Sequence, residues 1–434
     1  MELEEEFRCG CGRTHRALVK RVVTGAGVLQ RVPEIADQLG GKKCFVLADE
    51  RTHTAAGAAV CAALRDHGIP FTEYVLPGAE VKPDEHTVGA AVMHFDRTCD
   101  LVIGVGSGVV NDTGKLLSKT AGTPYVIVGT APSMDGYASA TSSMDMDGLK
   151  VSLPSRCADV VVGDTDVLRQ APERMLISGL GDMLAKYISI CEWRLSHLIT
   201  GEYYCETVAQ MVRGALKKCT DHAEGLLRRD EAAVSAVFEG LVLGGVAMNY
   251  AGLSRPASGV EHYFSHVWDM RGLEFGTPVD LHGIQCAVGT RYAAKIYEQL
   301  CRITPNRSKA LDYVRHFDYS AHAAQLRAFL GKGAEAMIAL EQKEHKYDPA
   351  AHAARLEVIL AHWDEIVDII QTEIPPVREI ERILTAIHAP QTVEELGQPA
   401  SVLPMTFRAT KDIRDKYVAS RLCWDMGVID EIRL

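Results

Sequence analysis

Two groups of residues in this chain have the types and spacing that do chemistry. The first combines imidazoles with a carboxylate. His262 and His266 fall in Glu-His-Tyr-Phe-Ser-His, and on a helix a spacing of four puts both rings on one face about one turn apart. His282, in Leu-His-Gly, follows 20 residues after His262 and opens a new helical run, so a helix, a loop and a return bring it back beside the pair. Asp182, in Gly-Leu-Gly-Asp-Met-Leu-Ala-Lys, adds an anionic oxygen from a different helix. A carboxylate with two or three imidazoles leaves coordination positions open, as a catalytic rather than a structural metal requires. His53, His94, His197, His222 and His352 read as surface or core residues.

The second group is Gly104-Val-Gly-Ser-Gly-Val-Val-Asn-Asp112, placed after a β-rich run and opening a helix. Glycines there let a phosphate approach the backbone, and the helix N-terminus offers it N–H groups and partial positive charge. A tight turn also uses glycine for steric reasons alone, so a pyrophosphate is one reading and a plain turn the other. Asp49, at the end of Cys44 to Ala48, is placed either to meet a ribose 2′-hydroxyl, favouring NAD over NADP, or to cap a helix near Thr52. Cys9-Gly-Cys11-Gly-Arg-Thr-His15 has metal-ligand types but only three of them, near a terminus, and no structural zinc is expected there.

These groups need elements to position them. From Lys43 to about Asp166, short β-rich runs (43–48, 72–76, 100–104, 124–128) alternate with helical ones (54–67, 83–97, 108–119). That alternation predicts a parallel sheet with helices on both faces. From about Pro172 the β-branched runs give way to long Ala/Leu/Glu-rich amphipathic segments. The expected architecture is an α/β domain over 1–170 and an all-α domain over 171–434. Ligands are then expected outside the carboxyl ends of the strands. The polar stretch Thr130 to Pro154 reads as a functional loop or hairpin.

Composition excludes several classes. The 434 residues carry 46 basic against 57 acidic side chains, a net charge of −11, and no basic run, so neither nucleic acid nor an anionic membrane is an expected partner. The longest apolar stretch, Gly240 to Leu253, contains Asn249 and reads as a buried helix too short to span a bilayer. The acidic start Met-Glu-Leu-Glu-Glu-Glu-Phe is unlike an export signal, and twelve irregularly spaced cysteines suit reduced thiols in a cytoplasmic protein.

The motifs in their order resemble the sn-glycerol-1-phosphate dehydrogenase family, within the larger group of iron-containing alcohol dehydrogenases, glycerol dehydrogenases and dehydroquinate synthases. The resemblance runs from about residue 15 to the C-terminus, through the Gly104–Asp112 turn, Gly-Thr-Ala-Pro-Ser-Met-Asp-Gly-Tyr-Ala-Ser (129–139), 179–186, Ser-Arg-Pro-Ala-Ser-Gly-Val-Glu-His-Tyr-Phe-Ser-His (254–266) and 281–283. It implies that Asp182, His262 and His282 are metal ligands, His266 a second histidine beside the substrate, and Asp135 a substrate-binding aspartate. It also implies that the α/β domain over 1–170 is a dinucleotide-binding domain, with cofactor contacts at Asp49, Gly106, Ser107, Gly108, Asp112, Thr130, Ser133, Ser139 and Thr141. One departure is that the wider group's Gly-Gly-Gly-Ser-x-x-Asp is here Gly106-Ser-Gly-Val-Val-Asn-Asp112, which removes a hydroxyl contact and leaves coenzyme preference open.

The activity implied is interconversion of dihydroxyacetone phosphate and sn-glycerol 1-phosphate with NAD(H) or NADP(H) and one divalent ion (zinc, nickel or iron), in a homodimer or higher homo-oligomer. Asp182 and His266 would serve the chemistry, with Asp135 on a terminal hydroxyl and Arg255 and Ser258 on the substrate phosphate. The alternatives are a polyol dehydrogenase acting on an unphosphorylated substrate, and a dehydroquinate-synthase-like lyase. Against the lyase stands Asp182, where that branch has glutamate.

Overall fold

Six short runs pair into one fully parallel sheet, in the spatial order Arg21–Gly25, Val160–Asp164, Tyr125–Gly129, Leu101–Gly106, Cys44–Asp49, Phe71–Leu76. The computed structural model that shows this describes residues 5–147 and 149–434. The inner strands are buried along almost their whole length, as a sheet covered on both faces demands, and hence read as unbroken apolar runs. The predicted strands lie where expected. Arg21–Gly25 and Val160–Asp164, which pair with each other from Val160 opposite Arg21, complete the far side.

From Cys44–Asp49 the chain crosses to Phe71–Leu76 on one side, whereas from Leu101–Gly106 it proceeds to Tyr125–Gly129 on the other. The order reverses between these two adjacent strands, and the carboxyl ends at Asp49 and Gly106 flank the crevice that such a reversal opens. The Thr130–Pro154 stretch contains a short turn of helix at Asp135–Ala138 and an antiparallel hairpin, Thr141–Met146 with Leu149–Pro154.

The chain does not divide at residue 170. One compact unit runs from the N-terminal hairpin to Met183 and takes back Thr207–Leu253; the other holds Leu184–Glu206 and Ser254–Leu434. The physical reason is the sheet's need for apolar cover. The helix Glu231–Ala251 lays Phe238 on the strands at Gly129 and Gly163, where a β-carbon would strike the ring, and Gly245 against Ala138. By length and composition this helix could cross a membrane, yet two-thirds of its apolar window is buried within the structure. The sequence expectation of a buried helix there describes its place, although the helix is 21 residues long rather than 14.

The second unit is helical. Its helices Val260–Phe275 and His282–Leu300 pack so closely that a β-carbon at Gly289 would lie 2.5 Å from the carbonyl oxygen of Glu261.

Candidate active site

In the first unit, the strand Leu101–Gly106 turns into the helix Gly108–Ala121 at Ser107. Gly106 is required by the protein itself, since a β-carbon there would sit 2.5 Å from Cβ of Val110. Gly108 is different: the nearest atom to its would-be β-carbon is Cγ of Met134 at 3.7 Å. Space is left over the helix N-terminus, whose first N–H groups have no acceptor within the helix. That opening and those donors fit a pyrophosphate.

The predicted contact residues gather around this turn. Ser107 Oγ and Ser133 Oγ lie 2.5 Å apart, and Thr130 N–H donates to the Gly106 carbonyl at 3.1 Å. Lys115, which sequence reasoning passed over, is fully buried; its ammonium pairs with Asp112 Oδ1 at 2.8 Å and donates to Ser139 Oγ at 3.1 Å and to the carbonyls of Gly136 and Thr141. Asp112 Oδ2 also accepts from Ser143 N–H. Asp112 thus fastens the hairpin to the helix, and the only local signal was an acid three residues ahead of a lysine. Thr141 is exposed at the hairpin's start. Asp49 builds a helix cap: its Oδ1 accepts from Thr52 N–H at 2.8 Å while Thr52 Oγ1 accepts from Asp49 N–H at 3.0 Å. The cap uses one carboxylate oxygen, Oδ1.

The helix Glu173–Leu184 docks on the 130–139 loop. Gly179 meets the Pro132 carbonyl with no room for a β-carbon, Ser178 Oγ donates to Ser133 O at 2.8 Å, and Asp135 N–H donates to Asp182 Oδ2 at 3.0 Å. Asp182, with no exposed surface, is held beside half-buried Asp135 by main-chain geometry. The 130–139 loop therefore fixes the position of the Asp182 carboxylate through its main chain.

In the second unit, His262 and His282 come together with ring centroids 4.9 Å apart, and His266 lies 6.1 Å from His282. His262 Nδ1 donates to Glu261 Oε1 at 2.8 Å, and His282 Nδ1 shares a 3.2 Å hydrogen bond with Ser265 Oγ. Each ring is oriented through Nδ1, as metal histidines commonly are, and His282 Nε2 lies 3.5 Å from Cys286 Sγ. Cys286, one turn after His282, was missed; His262, His282 and Cys286 bring one ligand atom each within 4.8 Å of one another. Behind them, burial pushes Glu261 up to about 7 and Glu192, beside it, up to about 8. Gly259 separates the two carboxylates, 2.5 Å and 2.7 Å from where a β-carbon would be. Two imidazoles and a thiol with ligand atoms this close are a donor set suited to a borderline divalent ion.

The phosphate role read for Arg255 is corrected. Its side chain is 2% exposed and its donors are engaged: Nε and Nη2 by Glu202, Nη2 also by Ser196 Oγ, and Nη1 by the Tyr417 carbonyl at 2.8 Å. A guanidinium in apolar surroundings keeps its carboxylate rather than wait for a ligand. The cation beside Ser258 is instead Lys416, whose Nζ donates to Ser258 Oγ at 2.7 Å. Burial and the nearby Arg255 charge bring this ammonium down to about 7.

Comparison with known proteins bears on this arrangement. Residues 23–172 match the family model described as iron-containing alcohol dehydrogenase. Among solved structures, glycerol dehydrogenase from Schizosaccharomyces pombe superposes with a TM-score of 0.62 at 19% identity, over 95% of this chain and 89% of that one. A 1,3-propanediol oxidoreductase gives 0.63 at 16%, over 97% and 100%. The fold is that of the iron-containing alcohol dehydrogenases. Among curated sequences, glycerol-1-phosphate dehydrogenase [NAD(P)+] of Halalkalibacterium halodurans is 32% identical over 298 residues, 68% of this chain and 75% of that protein. The enzyme of the same name from Methanothrix thermoacetophila is 34% identical over 274 residues, 63% and 75%. This chain belongs to the glycerol-1-phosphate dehydrogenase family.

Proposed function

We propose that this chain catalyses NAD(P)-linked interconversion of dihydroxyacetone phosphate and sn-glycerol 1-phosphate, by hydride transfer at C2 beside one divalent metal. The observation that carries the reading is that a chain 32% identical to a glycerol-1-phosphate dehydrogenase has a buried Asp182, on a helix hydrogen-bonded to the 130–139 loop, and a His262–His282 pair oriented through Nδ1.

Asp182, His262 and His282 would hold the metal, and the helix turn at Gly106–Gly108 with Asp49, Asp112, Thr130, Ser133, Ser139 and Thr141 would hold the dinucleotide. When bound, the metal supplies Lewis-acid polarisation of the C2 carbonyl and the nicotinamide supplies the hydride. Asp135 fixes a terminal hydroxyl of the substrate through its carboxylate. Half-buried His266 passes a proton between the C2 oxygen and water through its imidazole. Ser258 and Lys416 bind the phosphate, through a hydroxyl and an ammonium that already lie within hydrogen-bond distance of each other. The work is done in the cytoplasm by a homodimer or higher homo-oligomer, a setting that suits twelve cysteines none of which is in a disulfide.

The test is reconstitution of the metal-stripped protein with zinc, nickel or iron(II), followed by NADH and NADPH absorbance with dihydroxyacetone phosphate. Oxidation of the coenzyme only with metal and the phosphorylated ketone is expected. Faster turnover of dihydroxyacetone would move the assignment to a polyol dehydrogenase, and no net coenzyme oxidation with any metal would overturn it.

A further inference from the structure

The N-terminal hairpin holds a second group of metal-ligand side chains, remote in sequence from the catalytic set. Glu6–Arg8 and Thr14–Arg16 pair antiparallel, and the turn between them is closed by Cys9 N–H to Arg13 O at 3.0 Å and Gly12 N–H to Cys9 O at 3.1 Å. Gly12, at φ 85°, permits that tight return. The fold of the turn brings Cys9, Cys11 and His15 together, with one ligand atom of each within 4.8 Å of the others.

His15 is prepared as a ligand. It is 1% exposed, packed against Phe7 and Tyr250, and its Nδ1 lies 2.7 Å from the Tyr250 carbonyl. A carbonyl only accepts, so Nδ1 carries the proton and the lone pair is on Nε2. That Nε2 is 3.4 Å from Cys11 Sγ. Zinc–sulfur bonds of about 2.3 Å set tetrahedral edges of about 3.8 Å, so this pair is already at a bound spacing.

Three ligands from one hairpin were visible in the sequence, and the fourth is supplied by tertiary structure. Cys9 Sγ lies 3.3 Å from Thr207 Oγ1. Cys205, fully buried, precedes Thr207 by two residues, so the covalent chain keeps its Cα within about 7 Å of the Thr207 Cα. We propose that Cys9, Cys11, His15 and Cys205 form a structural zinc site, distinct from the catalytic metal. Three thiolates and one imidazole make a closed, soft tetrahedral set that selects zinc and leaves no position for substrate. Binding releases the thiol protons and ties the N-terminal hairpin to the chain 190 residues downstream of His15.

The experiment counts metal per chain in the whole protein. Wild type purified from zinc-containing medium is dialysed against a mild chelator until the activity responds fully to added metal, and the remaining zinc is measured by mass spectrometry. One tightly held zinc per chain is expected, lost in both Cys11→Ser and Cys205→Ser and retained in His262→Ala. Cobalt exchanged into the same position shows a thiolate charge-transfer band in wild type and His262→Ala only. Because a cysteine variant can misfold, thiol counting on native wild type serves as a second readout: three thiols are slow to react until a strong chelator is added. A zinc content unchanged by both cysteine substitutions, or three thiols that react equally fast with and without the chelator, overturns the site. So does a zinc that disappears in His262→Ala. None of these outcomes depends on which substrate the catalytic site takes.

Discussion

Gly179→Ala is the substitution whose effect the structure fixes most tightly. A β-carbon there would overlap the Pro132 carbonyl oxygen, lie 2.8 Å from the carbonyl carbon and 3.0 Å from Cγ1 of Val237. Main chain stands on both sides of the clash, so no side-chain rotation relieves it; the helix and the loop must part by about 1 Å or more. Overpacking of this kind costs about 1–3 kcal/mol, and with two backbones to move the upper end applies. At about 2–4 °C per kcal/mol for a unit of this size, a melting temperature lower by about 6–12 °C is expected. The same separation pulls on the Ser178–Ser133 and Asp135–Asp182 bonds, so Asp182 and Asp135 lose their fixed spacing. A shift of about 1 Å at a reacting centre costs about a hundredfold in rate. The assay is thermal unfolding together with metal content and kcat/KM on the folded protein. Gly108→Ala is the comparison: its β-carbon meets nothing nearer than 3.7 Å, so stability holds while the KM for the coenzyme rises about tenfold, the equivalent of about 1.4 kcal/mol of lost binding. A Gly179→Ala protein with the parent's melting temperature, metal content and kcat/KM would refute the claim that this helix positions the site through that loop.

Other expectations follow from the same geometry. Arg255→Ala leaves Glu202 without its partner in a largely buried setting and lowers stability by about 3 kcal/mol, measured by urea unfolding, with the KM for the phosphorylated ketone unchanged; Lys416→Met raises that KM and spares the KM for the coenzyme. Asp49→Asn keeps an oxygen for the Thr52 cap, whereas Asp49→Ala loses about 1 kcal/mol with it. If both shift the NADH-to-NADPH preference and only alanine lowers the melting temperature, the residue serves ribose and cap together; an unchanged preference in both leaves only the cap. Burial, with the neighbouring Lys411 charge, holds the His322 imidazole below its ordinary pKa of 6.5 against the opposing pull of Asp412. Below 6.5 the unfolded chain takes up a proton that the folded chain refuses, so the stability present above that pH is lost as the pH falls through the folded value. Urea midpoints measured across this window should decline, and His322→Gln should flatten the decline; an equal slope in both proteins excludes His322 as its source.

What the sequence alone determined is what short-range physics controls. Alternating apolar runs dictated the parallel strands, a glycine-rich turn dictated the entry to the Gly108–Ala121 helix, and the spacing of His262, His266 and His282 placed imidazoles on adjoining helices. Local periodicity reports which face of an element is apolar, not which layer it will cover. The helix Glu231–Ala251 was therefore legible as buried, and only the tertiary structure assigned it to the sheet unit. Polar side chains were less legible still, because each takes whichever partner folding delivers. Arg255 is taken by Glu202, 53 residues away, Lys115 by the loop carbonyls at Gly136 and Thr141, and the Cys9 thiol meets Thr207. A buried charge or donor must find a mate whatever its distance along the chain, and the identity of that mate is set by the packing of the whole core.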